Sequence, residues 1–386
     1  MKSDYYDAVV VGSGFGGSLT AYILAKAGLQ TVLVERGGWA QRDELDWNQR
    51  EILLKQRYRS KAPLLVKQYG AVDYEPLFSN EVVGGLSVFY GGASLRLRKT
   101  DFAAWPIDYE ELEPFYSQAE QLLMVHGESG ADLDGPPRSQ PYPKPSPLLS
   151  PPAERIYKAA KRLGYAPFKI PLAINFTDPG RRLCIKCNTC DGFPCRIEAK
   201  NDLTVTVLKR AQEFGLEIVA GAIVAELQAD RGKVDRVVFV GKESKERFSV
   251  GAGIVLVGAG ALYSPGLLQR SGLGSDHRFF GRCLMRHCNA VASYLFPRAT
   301  NPDNLFHKQL CFTDFYEDLR PAHGTAVGVI QDIYTPSPDV LYHYAPSGLK
   351  RLASLASRRI QNLLCIAEDE PQLNNRVSLA SERDEY

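Results

Sequence analysis

An α/β fold, parallel at its N-terminal end and mainly antiparallel α+β towards its C-terminal end, is what this sequence predicts, on three observations. An apolar strand, a glycine turn, a helix and a second apolar strand follow one another from Asp7 to Glu35. A second passage from strand to glycine turn to helix occurs at Ile254 to Leu268. From about Ser275 onward, short runs such as Asn289 to Phe296 and Ala326 to Ile333 alternate apolar and polar residues, as strands with one solvated face do.

In chain order, Ala8 to Val11 and Thr31 to Val34 read as strands flanking a helix that ends near Gly28, which makes a βαβ unit. Charged residues interrupt every apolar run from Asp43 to Lys67, predicting solvated helix and loop, with the basic stretch Lys55 to Lys61 on a solvated helix face. Eight of the 24 prolines lie between Gly135 and Pro152, which excludes regular structure and marks a surface crossing. Ala153 to Leu163 has the pattern of a basic amphipathic helix, and Val205 to Phe214 that of a helix stopped by Gly215. Leu216 to Val224 and Ile254 to Val257 read as strands that rejoin the N-terminal sheet. After the turn Gly258-Ala259-Gly260, Ser264 and Pro265 predict an N-cap and first helical position.

Composition narrows the function. The 386 residues suffice for two or three domains. With 46 Lys and Arg against 44 Asp and Glu, the net charge of +2 supplies no field for nucleic acid or an anionic membrane. No apolar run approaches the roughly 20 residues that span a bilayer, and Met1-Lys2-Ser3-Asp4 runs into a strand with no signal-peptide core, so a cytoplasmic protein is expected.

Gly12-x-Gly14-x-x-Gly17 joins the first strand to the helix, and Glu35 ends the second strand. In that setting the glycines provide a tight turn, close approach of backbone N–H groups to a pyrophosphate, and close packing of helix on strand. The helix N-terminus favours the phosphate charge, and Glu35 can accept hydrogen bonds from a ribose diol. A dinucleotide site follows; the acid does not distinguish FAD from NAD.

Three further segments bear on this choice: Val83-Gly84-Gly85-Leu86-Ser87-Val88-Phe89-Tyr90-Gly91-Gly92 with Asp101-Phe102 and Trp105-Pro106-Ile107-Asp108-Tyr109; Gly258-Ala259-Gly260-Ala261 continuing to Ser271-Gly272; and Gly281-Arg282-Cys283-Leu284-Met285-Arg286-His287. With the first motif they resemble the glucose-methanol-choline (GMC) family of FAD-dependent oxidoreductases, nearest its sugar and sugar-acid dehydrogenases and pyranose oxidases. The resemblance implies a Rossmann-like FAD-binding domain (1–130 and 196–275), a Pro-rich and Cys-rich connection (131–195) and an incomplete, mainly antiparallel α+β substrate domain (276–386). It implies flavin contacts at Gly84, Gly85, Ser87, Gly91 and Gly92, at Gly258, Ala259 and Gly260, and an adenine contact at the backbone of Val224. Phe89 stands where some relatives attach flavin through histidine, so non-covalent FAD is expected. Asp369 and Asn375-Arg376-Val377 resemble a strand of the family's substrate domain.

Cys184, Cys187, Cys190 and Cys195 crowd into 12 residues. Their spacing is close to a ferredoxin run, and four thiolates suit an iron-sulfur cluster or zinc; reduced structural thiols are the other reading. Among the six histidines, His287 lies in a family-like segment and reads first as a structural group, while His126, His277, His307, His323 and His343 have no recognisable partner.

In the family, the catalytic histidine and its His or Asn partner lie in a C-terminal segment that also closes the flavin site. No such segment is found before Tyr386. The reading is therefore an FAD-dependent oxidoreductase acting on the CH–OH group of an alcohol or sugar-like small molecule, with its catalytic base unassigned and a complementing C-terminal chain as a candidate partner. A non-catalytic flavin-binding or electron-transfer chain is the alternative, and an NAD-dependent dehydrogenase a third.

Overall fold

The computed structural model describes residues 2–68, 71–274, 277–306, 308–319, 322 and 328–380. His307, His323 and the first residues of the strand expected at 326–333 lie outside them. The chain opens with β1 (Tyr5–Val11), α1 (Phe15–Lys26) and β2 (Thr31–Glu35). Two short ladders follow, β3 (Leu64–Val66) with β4 (Glu75–Leu77) and, across helix α2 (Tyr109–Leu122), β5 (His126–Gly127) with β6 (Lys144–Pro145). Next come α3 (Pro151–Arg162), β7 (Phe168–Lys169), α4 (Val207–Glu213), β8 (Glu217–Ala220), β9 (Ala222–Asp230), β10 (Lys233–Gly241), β11 (Arg247–Val257) and α5 (Gly260–Arg270). The last elements are β12 (Cys288–Leu295), β13 (Leu310–Phe312), β14 (Val329–Ile333), α6 (Pro338–Tyr344), α7 (Lys350–Ala356) and β15 (Ile360–Ala367).

A six-stranded sheet has the order β8-β2-β1-β11-β10-β9. Its first four strands are parallel, and β11-β10-β9 is an antiparallel meander. β1 and β2 carry near-continuous apolar runs because both their faces are covered. Val10 and Leu33 pack on Ala21 and Ala25 of α1 and Leu208 and Ala211 of α4. Val9, Val11, Val32 and Val34 pack on Val224, Leu227, Val237 and Phe239 of the meander. Only Gly221 separates β8 from β9, the two edge strands, so the sheet bends back and lays the meander over its own parallel half. The sequence reads Leu216 to Val224 as one strand; a φ of +69° at Gly221 breaks it in two.

The second sheet, β12-β15-β14-β13-β7, is antiparallel throughout. One of its strands, β7, comes from the Pro-rich and Cys-rich connection.

Two local expectations are corrected. Helix α5 starts at Gly260, with Pro265 inside it, rather than at Ser264-Pro265. The close packing of Gly258 on Gly17, where an added Cβ would come within 3.1 Å of the Gly17 Cα, fixes the helix start upstream of the local cap signal. The stretch Lys55 to Lys61 is not a helix face: a π-turn ends at Leu54. Arg57 pairs with Asp43 at 2.5 Å and with the fully buried Asp46 at 2.9 Å. The guanidinium holds the Asp43 carboxyl down at about 2.

Candidate functional site

Three glycine turns meet at the N-terminus of α1. The Gly12 N–H donates to the Val34 carbonyl at 2.8 Å, and the Gly258 N–H to the Val11 carbonyl at 2.7 Å, so both turns leave the sheet side by side. A Cβ on Gly12 would lie 2.7 Å from the Gly258 carbonyl, and one on Gly17 would run into the Gly12 carbonyl. A Cβ on Gly85 would sit 3.0 Å from the Gly14 Cα, which brings the second glycine segment into the same place. Among the glycines of these three turns, Gly14, Gly16 and Gly260 face open space, with no atom within 4 Å of an added Cβ. α1 starts there with Gly14 as its cap, no side-chain cap hydrogen bond and no acid in its first turn. Its unpaired N–H groups and positive dipole end are therefore free to meet an anion.

Glu35 lies beside this opening, 7% exposed. Its Oε2 accepts from the Ser13 N–H at 2.9 Å and the Ser13 hydroxyl at 2.7 Å, and its Oε1 accepts from the Gly37 N–H at 2.8 Å. The Ser13 hydroxyl in turn accepts from the Gly84 N–H at 2.8 Å. Ser13 thus ties the first motif, the acid and the second glycine segment together, a role the glycine spacing alone does not indicate. The only sequence signal is a small hydroxyl residue at the variable position inside Gly12-x-Gly14.

The second segment is a turn held from behind. Gly84 and Gly85 adopt φ of +91° and +55°, open to glycine at no steric cost. Ser87 is fully buried; its hydroxyl donates to the Gly84 carbonyl at 2.6 Å and accepts from the Leu203 N–H at 3.2 Å, so it closes the turn. Phe89, 6% exposed, packs edge-on to Tyr58. A Cβ on Gly92 would strike Ile174 at 2.8 Å, and one on Gly91 would press on Asp191 and Lys308 at 3.2 and 3.3 Å. Val224 is on β9, away from these turns in sequence, and its carbonyl accepts from Arg270 of α5 at 3.2 Å.

The iron-sulfur or zinc reading of the four cysteines finds no support in the structure. All are free thiols, and among the described residues no group of three or more His, Cys, Asp or Glu side chains is disposed to hold a metal ion. Cys184 and Cys190 pack against the apolar cluster of Phe168, Ile170, Leu172 and Ile174. Burial pushes the Cys184 thiol up to about 12 and the Cys190 thiol higher still. The loop is organised instead by Lys200, 1% exposed, whose ammonium donates to the carbonyls of Tyr90, Cys190 and Phe193 at 2.7, 2.9 and 2.7 Å.

His287 is exposed. His126, without a visible partner in sequence, is 2% exposed, its ring nitrogens 3.2 Å from the Met124 carbonyl and 3.1 Å from the Thr177 hydroxyl. The segment Gly281–Arg286 meets the family-like stretch near Arg376. The Leu284 N–H donates to the Asn375 carbonyl at 2.9 Å, the Val377 N–H to the Gly281 carbonyl at 2.7 Å, and the Arg286 N–H to Asp369 at 3.0 Å. Gln269 of α5 donates to the Val377 carbonyl at 3.1 Å, latching this pair onto the six-stranded sheet. No helix among the described residues is long and apolar enough to cross a membrane.

Backbone donors at a helix start, glycines whose only free side faces outward, and a buried acid beside them fit the pyrophosphate and ribose of FAD. The GMC oxidoreductase profile matches residues 6–289. Paromamine 6'-oxidase of Streptomyces fradiae is 30% identical over 414 residues, covering 98% of this chain and 70% of that protein. The gluconate 2-dehydrogenase flavoprotein of Pantoea cypripedii is 26% identical over 330 residues, covering 70% of this chain and 53% of that one. The crystal structure of pyridoxine 4-oxidase from Mesorbium loti superposes with a TM-score of 0.61 at 20% identity, over 96% of this chain and 74% of that one. With the profile spanning most of the chain and the glycine turns gathered at one helix start, this protein belongs to the GMC oxidoreductase family and is an FAD-dependent oxidoreductase acting on CH–OH groups.

Proposed function

We propose that Gly12, Gly14 and Gly17 hold the FAD pyrophosphate against α1, that Glu35 orients the adenosine ribose, and that Gly84, Gly85, Ser87, Gly91 and Gly92 shape the wall beneath the flavin, with Gly258, Ala259 and Gly260 closing the far side and the Val224 backbone beside the adenine. The observation that carries this reading is the convergence of three glycine turns on one open helix start. FAD supplies the hydride-accepting ring when bound. The chain's own part is to bind and orient that cofactor. The binding is non-covalent, since Phe89 offers no nucleophile.

The donor in this proposal is a sugar-like alcohol, by analogy with the substrates named for paromamine 6'-oxidase and the gluconate dehydrogenase. The first domain comprises residues 1–130 and 196–275, and residues 276–386 form part of the substrate domain; their membership in separate sheets supports the division. A complementing polypeptide supplies the general base. Two uncovered surfaces support that: Ile254 on β11, inside the six-stranded sheet, is 53% exposed, and α7 buries no side chain. The eight unpaired thiols support a reducing, cytoplasmic compartment.

The test is anaerobic mixing of the FAD-loaded chain with paromamine, gluconate and simple polyols, with and without the C-terminal region of a relative in trans. Bleaching of the flavin absorbance that needs both donor and added polypeptide is expected. A chain that binds FAD and never bleaches under either condition would establish the non-catalytic alternative.

A further inference from the structure

The cysteine-rich strap is not absorbed by flavin binding or by metal binding, yet it follows the second glycine segment residue by residue. Asp191 lies against Gly91, the Gly192 N–H donates to the Phe89 carbonyl at 2.6 Å, and Lys200 reaches the Tyr90 carbonyl at 2.7 Å. The Tyr90 hydroxyl donates to the Asn201 carbonyl at 3.0 Å, the Leu203 N–H reaches Ser87, and the Thr204 methyl leaves no room for a side chain at Gly84. Behind the strap, Asn201 donates to the Leu123 carbonyl at 2.8 Å, and Arg42 binds the Cys195 carbonyl, Asp202 and Thr204 at 2.7, 2.9 and 2.7 Å. The strap is therefore fixed on its far side and grips the flavin segment on its near side.

We infer that Lys200 is a positioning residue for the cofactor: its ammonium, shared among three carbonyls from both segments, locks the strap 191–204 to residues 84–91 and so sets the wall on which the flavin rests. This rests on the flavin reading above. An ammonium suits the task because it offers three donors from one point and accepts none, so three convergent carbonyls specify it over any neutral side chain of equal size. The half-buried Cys190, whose carbonyl Lys200 holds, packs with Cys184 against the apolar cluster of Phe168, Ile170, Leu172 and Ile174.

The wild-type protein provides the first test, by amide hydrogen exchange with and without FAD, β12 serving as reference. Exchange in residues 191–204 should slow at least tenfold together with residues 84–92, although the strap itself is not assigned a cofactor contact. Should FAD bind and slow only residues 84–92, the inference falls while the flavin site stands; should the wild type bind no FAD at all, both fall. The second test is Lys200→Ala, which removes a propylammonium-sized group. FAD affinity should drop at least tenfold, and propylammonium in solution should restore it at least fivefold, whereas 1-propanol, which fills the volume without the charge, should not. Equal rescue by the alcohol would overturn the assignment and reduce Lys200 to a space filler.

Discussion

At the scale of single residues, the glycines of the first motif divide by what their missing side chain would meet. Gly14→Val places its branches in open space. The apoprotein should therefore unfold near the wild-type temperature while FAD affinity falls at least a hundredfold, as a flavin fluorescence titration would read. Gly17→Ala should do the reverse damage: its methyl collides with the Gly12 carbonyl, so the apoprotein itself should lose stability, by about 2–4 kcal/mol in denaturant unfolding. Ser13→Ala leaves the buried Gly84 N–H without its acceptor, and a loss of about 1–3 kcal/mol is expected together with weaker FAD binding. The glycines were legible in the sequence because their spacing between a strand and a helix is a local pattern. Ser13 and Lys200 were not, since their partners in the second glycine segment, Gly84 and Tyr90, lie 71 and 110 positions away and only folding brings them together.

At the scale of elements, β14 is joined to the start of β13 by one carboxylate. Asp332 accepts from the N–H groups of Gln309 and Leu310, both at 2.8 Å, and burial pushes it up to about 6. The folded state thus holds this proton more tightly than the unfolded chain, whose carboxyl titrates near ~3.9. Its contribution to stability is complete below that value and is lost as pH rises towards 6. Asp332→Asn keeps an oxygen for both donors and removes the charge. It should flatten the pH dependence of unfolding between about 4 and 6 and raise stability at pH 7 by roughly 2–3 kcal/mol. His126 works in the opposite direction, because burial lowers it below the ordinary imidazole value and acid must charge a buried ring. β1, β2, the end of β11, β12, α3 and α4 were readable from periodicity, whereas β10, β13 and β15 were not read from it. The start of α5 was not, because Ser264-Pro265 is a sound local signal overruled by backbone packing between Gly258 and Gly17. The cysteine spacing left a cluster, zinc and structural thiols all open, since it describes positions along the chain but not the apolar cluster against which Cys184 and Cys190 pack.

At the scale of the whole molecule, the cysteine-rich loop and the strap touch chain belonging to both sheets. Cys187 pairs with Phe306 in a backbone bridge and Asn188 bonds Asn304 at 2.9 Å just ahead of the strap, and within it Phe193 packs on Tyr334 at 5.8 Å, so the strap and the residues leading into it are held by the chain around the second sheet. Adding the C-terminal region of a relative in trans should raise the rate of flavin reduction by roughly 10²–10⁴-fold, the usual contribution of a general base, measured by stopped-flow absorbance. The architecture also has a consequence for synthesis. The first glycine turn is made by residue 17, but its packing partner is Gly258, and β1 lies between β2 and β11. At the usual ribosomal pace of about 5–20 residues per second, translation from Glu35 to Gly258 takes roughly 11–45 s. Throughout that interval β1 has an unpaired edge and the nascent chain has no complete cradle for the cofactor. Flavin loading therefore waits until the chain has been made as far as Gly258.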